Sequence, residues 1–61
     1  MKYKRFEVVE LKNENKAVIL EVKKNNEYFA EIVDSNGNTI ENRIITNSEI
    51  SKIIYSKEKE R

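Results

Sequence analysis

Among side chains that can move a proton, attack a carbonyl or hold a metal, this 61-residue chain has ten glutamates, one aspartate (Asp34) and three tyrosines, but no histidine and no cysteine. The commonest general base, the thiol nucleophile and the usual zinc ligands are therefore missing from the sequence. The remaining candidate acids are the carboxylates. A retaining glycosidase needs two carboxyls about 5 Å apart flanking a cleft, and Glu31 and Glu41 are the two that a hairpin could bring that close. On an exposed strand face, in a chain too short to build a cleft, they are expected to be solvated. No catalytic residue is expected, and the chain reads as a non-enzyme.

"DSNGN", residues 34–38, sets Asp and Asn oxygens at alternate positions, as the first half of a calcium loop does. An EF-hand loop needs glycine at its sixth position and a bidentate Glu at its twelfth. Counted from Asp34, the glycine falls fourth and the twelfth residue is Ile45. The pattern fails, and no metal or cofactor is expected. Gly37 is the only glycine in a chain without proline, and a hairpin turn accounts for it by backbone geometry alone.

Charge is the more usable signal. Residues 1–24 carry seven basic and four acidic side chains, residues 25–50 one and five, and residues 51–61 four and two, giving +3, −4 and +2 and a total of +1. The ends are basic and the middle is acidic. A protein-binding reading uses the middle: Glu27, Glu31, Asp34, Glu41 and Arg43 around Phe29 and Val33, an apolar centre within a charged ring. The same surface would also serve a homodimer. The alternative is RNA or DNA binding, with Lys2, Lys4, Arg5, Lys23 and Lys24 on phosphates and Tyr3, Phe6 or Phe29 as stacking platforms. Against it, dedicated nucleic-acid domains have a pI above about 9, and this chain is near 7.9.

The elements that must position these residues are short. Sixty-one residues make one domain, which buries only about 60% of the surface of its unfolded chain, and there is neither disulfide nor zinc to reinforce it. Eight Ile and five Val can fill a small core. No run of 18 apolar residues could span a bilayer, and "MKYKRFEVVE" lacks the apolar region of a signal peptide, so a cytoplasmic protein is expected. Lys, Asn, Ile and Glu fill 35 positions (9 + 8 + 8 + 10). All four are encoded by AT-rich codons, which suggests a bacterial or phage genome.

Residues 3–12 ("YKRFEVVELK") and 16–24 ("KAVILEVKK") read as strands separated by the polar break "NENK". Ala17 and Ile19 on one face, with Val18, Leu20 and Val22 on the other, suit a tightly curved sheet. Asn25 and Asn26 form the next turn, since Asn tolerates the left-handed region. "EYFAEIVD" and "NTIENRIIT" then flank the glycine turn, and two registers compete. A two-residue Asn36–Gly37 loop sets Phe29 against Ile44 and Ile32 against Glu41. A three-residue loop, with Asp34 opening a type I turn and Gly37 in the bulge position, sets Ile32 against Ile40, Tyr28 against Ile44, Glu31 against Glu41 and Phe29 against Arg43. The second is favoured: its apolar face (Tyr28, Ala30, Ile32, Ile40, Ile44) gains a few kcal/mol, against roughly 1 kcal/mol or less for an exposed like-charge pair.

The segment "ITNSEISKIIYSKEKER" allows two readings. A helix over residues 47–59 would use Thr46 and Glu49 as a capping box with Ile50, Ile53 and Ile54 on one face. A single helical turn at "NSEI" followed by the short strand "SKIIYS" fits the β-branched and aromatic content better. Residues 57–61 read as a solvated, disordered tail.

From "FEVVELK" through "AVILEV" and "YFAEIVDSNGNTI" to "ITNSEISKII", the order of strands and turns resembles KOW-type and related bacterial SH3-like domains. The resemblance spans roughly residues 6–55. It implies an all-β small SH3-like barrel of about five short strands with one helical turn near the C-terminus. The alternative is an α+β fold, a four-stranded antiparallel sheet plus a C-terminal helix. The better-known branches of the family bind RNA, ribosomes or protein partners and supply no catalytic motif. KOW-type domains usually carry a glycine between their first two strands, and "NENKA" has none. The expected function is a non-catalytic module binding a protein partner or itself, with nucleic acid second and no membrane or metal.

Overall fold

The structure, a computed structural model, describes residues 3–56. Five antiparallel strands form one sheet: β1 (Val8–Leu11), β2 (Lys16–Val22), β3 (Glu27–Val33), β4 (Thr39–Thr46) and β5 (Ile50–Tyr55), with one 3-10 turn, Asn47–Glu49, before the last strand. Their spatial order is β4-β3-β2-β1-β5. This is the expected all-β, SH3-like arrangement, with the barrel left unclosed between β4 and β5. The helix alternative fails because β5 is extended and pairs with β1, Ile50 lying opposite Leu11. Ile53, Ile54 and Tyr55 favour that state locally. The expected tail, residues 57–61, and Lys2 lie outside the described residues.

The turns follow from residues that accept left-handed backbone. Asn25 (φ 61°) and Asn26 (φ 62°) make the β2–β3 hairpin, closed by the Glu27 N–H donating to the Lys24 carbonyl at 3.2 Å; two central residues at positive φ define a type I′ turn. At β3–β4 the Gly37 N–H donates to the Asp34 carbonyl at 3.0 Å, and the Asp34 N–H to the Asn38 carbonyl at 2.9 Å. Gly37 sits at φ 88°. Between β1 and β2 the same three-residue geometry recurs, with the Glu14 N–H donating to the Leu11 carbonyl and the Leu11 N–H to the Asn15 carbonyl. Here Glu14 (φ 77°) takes the left-handed position.

A lone sheet can bury its own face only by curling. Its inner face holds Tyr3, Val9, Leu11, Ala17, Ile19, Tyr28, Ala30, Ile32, Ile45 and Ile50, all buried. The central strands β2 and β3 contribute the two smallest of these, Ala17 opposite Ile32 and Ala30 opposite Ile19. Small residues at the centre let the flanking isoleucines close over them. Extra residues assist the curl: register shifts leave Leu20 on β2, Ile40 on β4, and Ser51 and Ile54 on β5 without a Cα partner. Such bulges bend a strand and increase its twist.

Strand one is shorter than the sequence suggests. Phe6 has φ 69° in a turn where the Glu7 N–H donates to the Lys4 carbonyl at 3.2 Å, so the extended segment begins at Val8. Glu7 is then 3% exposed, the buried charged residue of the described chain. Its Oε1 accepts from the Lys4 N–H and its Oε2 from the Ser56 hydroxyl, both at 2.9 Å. One carboxylate thus ties the segment before β1 to the end of β5. Tyr3 is held against Tyr28 edge-to-face at 5.7 Å, its N–H donating to the Tyr28 hydroxyl at 3.2 Å.

The glycine turn is built as favoured, but beyond the Val33–Thr39 pair the favoured register is wrong: the ladder follows the other one, in which Ile32 faces Glu41 and Phe29 faces Ile44. Val33 pairs with Thr39, but the bulge at Ile40 shifts the ladder, so that Ile32 faces Glu41, Glu31 faces Asn42, Ala30 faces Arg43, Phe29 faces Ile44 and Tyr28 faces Ile45. Ile40 and Ile44, expected in the core, are 51% and 44% exposed, and Ile45 is fully buried in their place. The shift is explained by volume: Tyr28 and Ile45 meet on the inner face, close to where the 3-10 turn brings in Ile50.

Three substitutions test this account. A Cβ at Gly37 would meet nothing within 4 Å, so Gly37→Ala costs only backbone strain, about 1 kcal/mol or somewhat more; Glu14→Gly relieves the same strain and raises the denaturation midpoint. Glu7→Ala strands two donors and lowers stability by about 1–3 kcal/mol, read from urea unfolding at unchanged m-value.

Candidate interaction surface

Alternation along a strand divides the expected site residues between two faces. Glu27, Phe29, Glu31 and Val33 project from the outer face of β3, opposite Thr46, Ile44, Asn42 and Thr39 of β4. Phe29 and Val33 are half-buried, and Ile44 beside Phe29 is exposed. An apolar strip with a carboxylate at Glu31 therefore lies across β3 and β4, and Glu31 is engaged by the Thr39 hydroxyl. This part of the expected surface is brought together.

The rest is not. Glu41 and Arg43 lie on the inner side of β4, where they line the unclosed rim. Arg43 bridges Glu41 at 3.3 Å and Glu49 at 3.0 Å. With Arg43 opposite Ala30, the Phe29–Arg43 pairing of the favoured register does not form; Ile44 occupies that place. The cation–π contact in the structure is Arg5 over Phe6 at 5.1 Å. Glu31 and Glu41 face opposite sides of the sheet and are no carboxylate pair. Asp34 serves the turn: its Oδ1 accepts from the N–H groups of Asn36 at 2.9 Å and Asn38 at 3.0 Å, which leaves the hairpin tip a local structural device.

The basic residues converge at one end of the sheet. Arg5 Nε donates to the Leu20 carbonyl at 3.3 Å, and the Phe6 N–H to the Ile19 carbonyl, so the turn containing Lys4 and Arg5 runs beside β2 just before Lys23 and Lys24. Phe6 and Val22 are exposed there. Val22, Lys23, Lys24, Asn25 and Glu27 outline a shallow, open depression. A second depression of about 300 Å³ lies at the rim, lined by Leu11, Lys12, Asn13, Arg43, Ser48 and Glu49. Among the described residues, no group of three or more His, Cys, Asp or Glu is placed to hold a metal, and no helix is long and apolar enough to cross a membrane.

The sequence reading missed the two open strand edges. Among the described residues, β4 has a neighbour only on its β3 side and β5 only on its β1 side, and both expose apolar residues: Ile40 and Ile44 on β4, Ile53, Ile54 and Tyr55 on β5. The spacing of Ile40 and Ile44 around two charges was the available signal. No family model matches the chain, and neither a curated protein nor a solved structure matches it.

Phe29 contributes surface and little core. Phe29→Ser is expected to cost about 1–2 kcal/mol, against about 3–5 kcal/mol for truncating the buried Tyr28 to Ala. Guanidinium unfolding of the two variants in parallel measures the gap.

Proposed function

We propose that this chain is a non-catalytic interaction module that receives an extended protein segment along the free edge of β4, with alternate side chains of that segment packing beside Ile44 and reaching toward Phe29 behind it. The carrying observation is the exposed Ile44 opposite half-buried Phe29 on a strand whose edge away from β3 has no neighbour among the described residues. An unpaired edge offers main-chain donors and acceptors for affinity, and a pleated apolar strip beside it offers side-chain selectivity. Glu27 and Glu31 would favour basic residues at the margins of the bound segment. The resemblance to SH3-like domains, whose known branches include protein binders, agrees with this use.

A random-peptide display selection on the immobilised chain tests it. Enriched peptides should alternate apolar residues with polar or basic ones, and Ile44→Lys should abolish their retention while circular dichroism stays unchanged. A selection that yields no sequence dependent on Ile44 defeats the proposal.

Nucleic acid is supported as a second reading by one observation, Arg5 held against Leu20 on the strand that runs into Lys23 and Lys24, with Phe6 exposed. Phosphate contacts release counterions and weaken steeply with salt. An amide-resolved titration with short RNA and duplex DNA should then shift residues 4–6 and 22–26 at low salt only, and the double change of Lys23 and Lys24 to Gln should remove the shifts.

A further inference from the structure

The two free edges of the sheet are not equivalent. Along β5 the ladder is interrupted twice, at Ser51 and Ile54, and Lys52 reaches back to Glu10 at 3.8 Å. Bulges and lysines are the usual protection of an edge. Along β4 the single bulge lies at Ile40, and the ladder from Glu41 to Thr46 is uninterrupted. β4 is the edge open to a further strand.

Its sequence is "IENRI", residues 40–44, and read antiparallel against itself it is complementary. A two-fold axis through Asn42 sets Ile40 against Ile44 of the second copy, Glu41 against Arg43, and Asn42 against Asn42. Moving the axis to residue 41 opposes two glutamates, to residue 43 two arginines, and to residue 44 sets Arg43 against Ile45. Like charges directly opposite are destabilising, so one register satisfies both charge and apolarity. Backbone alternation agrees. The turn bond from the Asp34 N–H to the Asn38 carbonyl fixes the phase of the ladder, and counting across the bulge points Glu41, Arg43 and Ile45 toward β3. Asn42 and Ile44 then present their N–H and C=O groups to the free edge. The Ile44 carbonyl accordingly accepts from the Arg43 guanidinium at 3.1 Å, a bond a second strand would replace.

We propose that two copies of this chain pair through β4 about a two-fold axis at Asn42, joining their sheets into one continuous sheet. The proposal rests on the reading of β4 as a docking edge and names its occupant. Ile44, about half exposed in the single chain, is brought toward the bulge of the second copy, where the exposed Ile40 is turned out of the alternation. The exposed ion pairs select the register more than they add affinity. A net charge of +1 opposes association little. Five residues from each copy make a small interface, so the dimer is a weak, concentration-dependent one.

The chain has no cysteine, which permits a direct test of register. Asn42→Cys places two thiols across the axis at the separation of a hydrogen-bonded strand pair, about 5.5 Å between Cα atoms, within disulfide range. Under mild oxidant it should form covalent dimer at least about tenfold faster than Ser51→Cys on the other edge, since pairing raises the local thiol concentration. Ile44→Lys added to Asn42→Cys should return the rate to that of the control. Sedimentation of the unmodified chain should show mass rising with concentration above the 7.3 kDa monomer. A chain that stays monomeric, with Asn42→Cys crosslinking no faster than Ser51→Cys, overturns the dimer; a dimer that forms without that preference overturns the β4 register. Peptides that still bind through Ile44 to a monomeric chain would leave the docking edge standing with a different occupant, whereas failure of both removes it.

Discussion

Everything in this molecule depends on one sheet burying its own inner face. With no second layer and neither disulfide nor zinc available, the strands must curl until β1 and β5 on one side approach β3 and β4 on the other. Ala17 and Ala30 make the centre thin enough, and bulges at Leu20, Ile40, Ser51 and Ile54 bend the strands around it. A small apolar set closed in this way leaves the fold marginal by its size. That gives single polar ties such as Glu7, which joins the two ends of the described chain, more weight than they would have in a larger domain.

The same bulges shape the surface. An unpartnered residue is turned out of the alternation, and here the extra residues include Ile40 and Ile54, both exposed. Apolar exposure in this chain is therefore in part a product of curvature, gathered along the two strands that an unclosed barrel leaves at its edges. Charge is sorted differently. Arg43, Glu41 and Glu49 compensate one another at the rim, while Arg5, Lys23 and Lys24 gather at the far end of β2.

Local chemistry was legible wherever a few neighbouring residues decide the backbone. Asn25–Asn26, the Asp34 to Gly37 turn and the short turn before a β-branched closing strand all appear as the sequence indicates, because φ preference and a nearby hydrogen bond suffice. The candidate surface was half legible. Phe29, Glu31 and Val33 share a face by simple alternation, but Glu41 and Arg43 fell on the other side once Ile40 bulged. Glu7 was legible in hindsight through its parity with Val9 and Leu11.

By itself the sequence determined a β-rich chain, its turns, its charge layout and its lack of histidine and cysteine chemistry, since these rest on composition and on contacts within a few residues. Only the tertiary structure decided that Ile45 rather than Ile44 packs against Tyr28, that Phe6 ends the first strand, and that β4 is a free edge. Each of those depends on how the whole sheet curls, and a one-residue slip that reverses a strand's faces costs little locally and is settled by volumes brought together from distant parts of the chain.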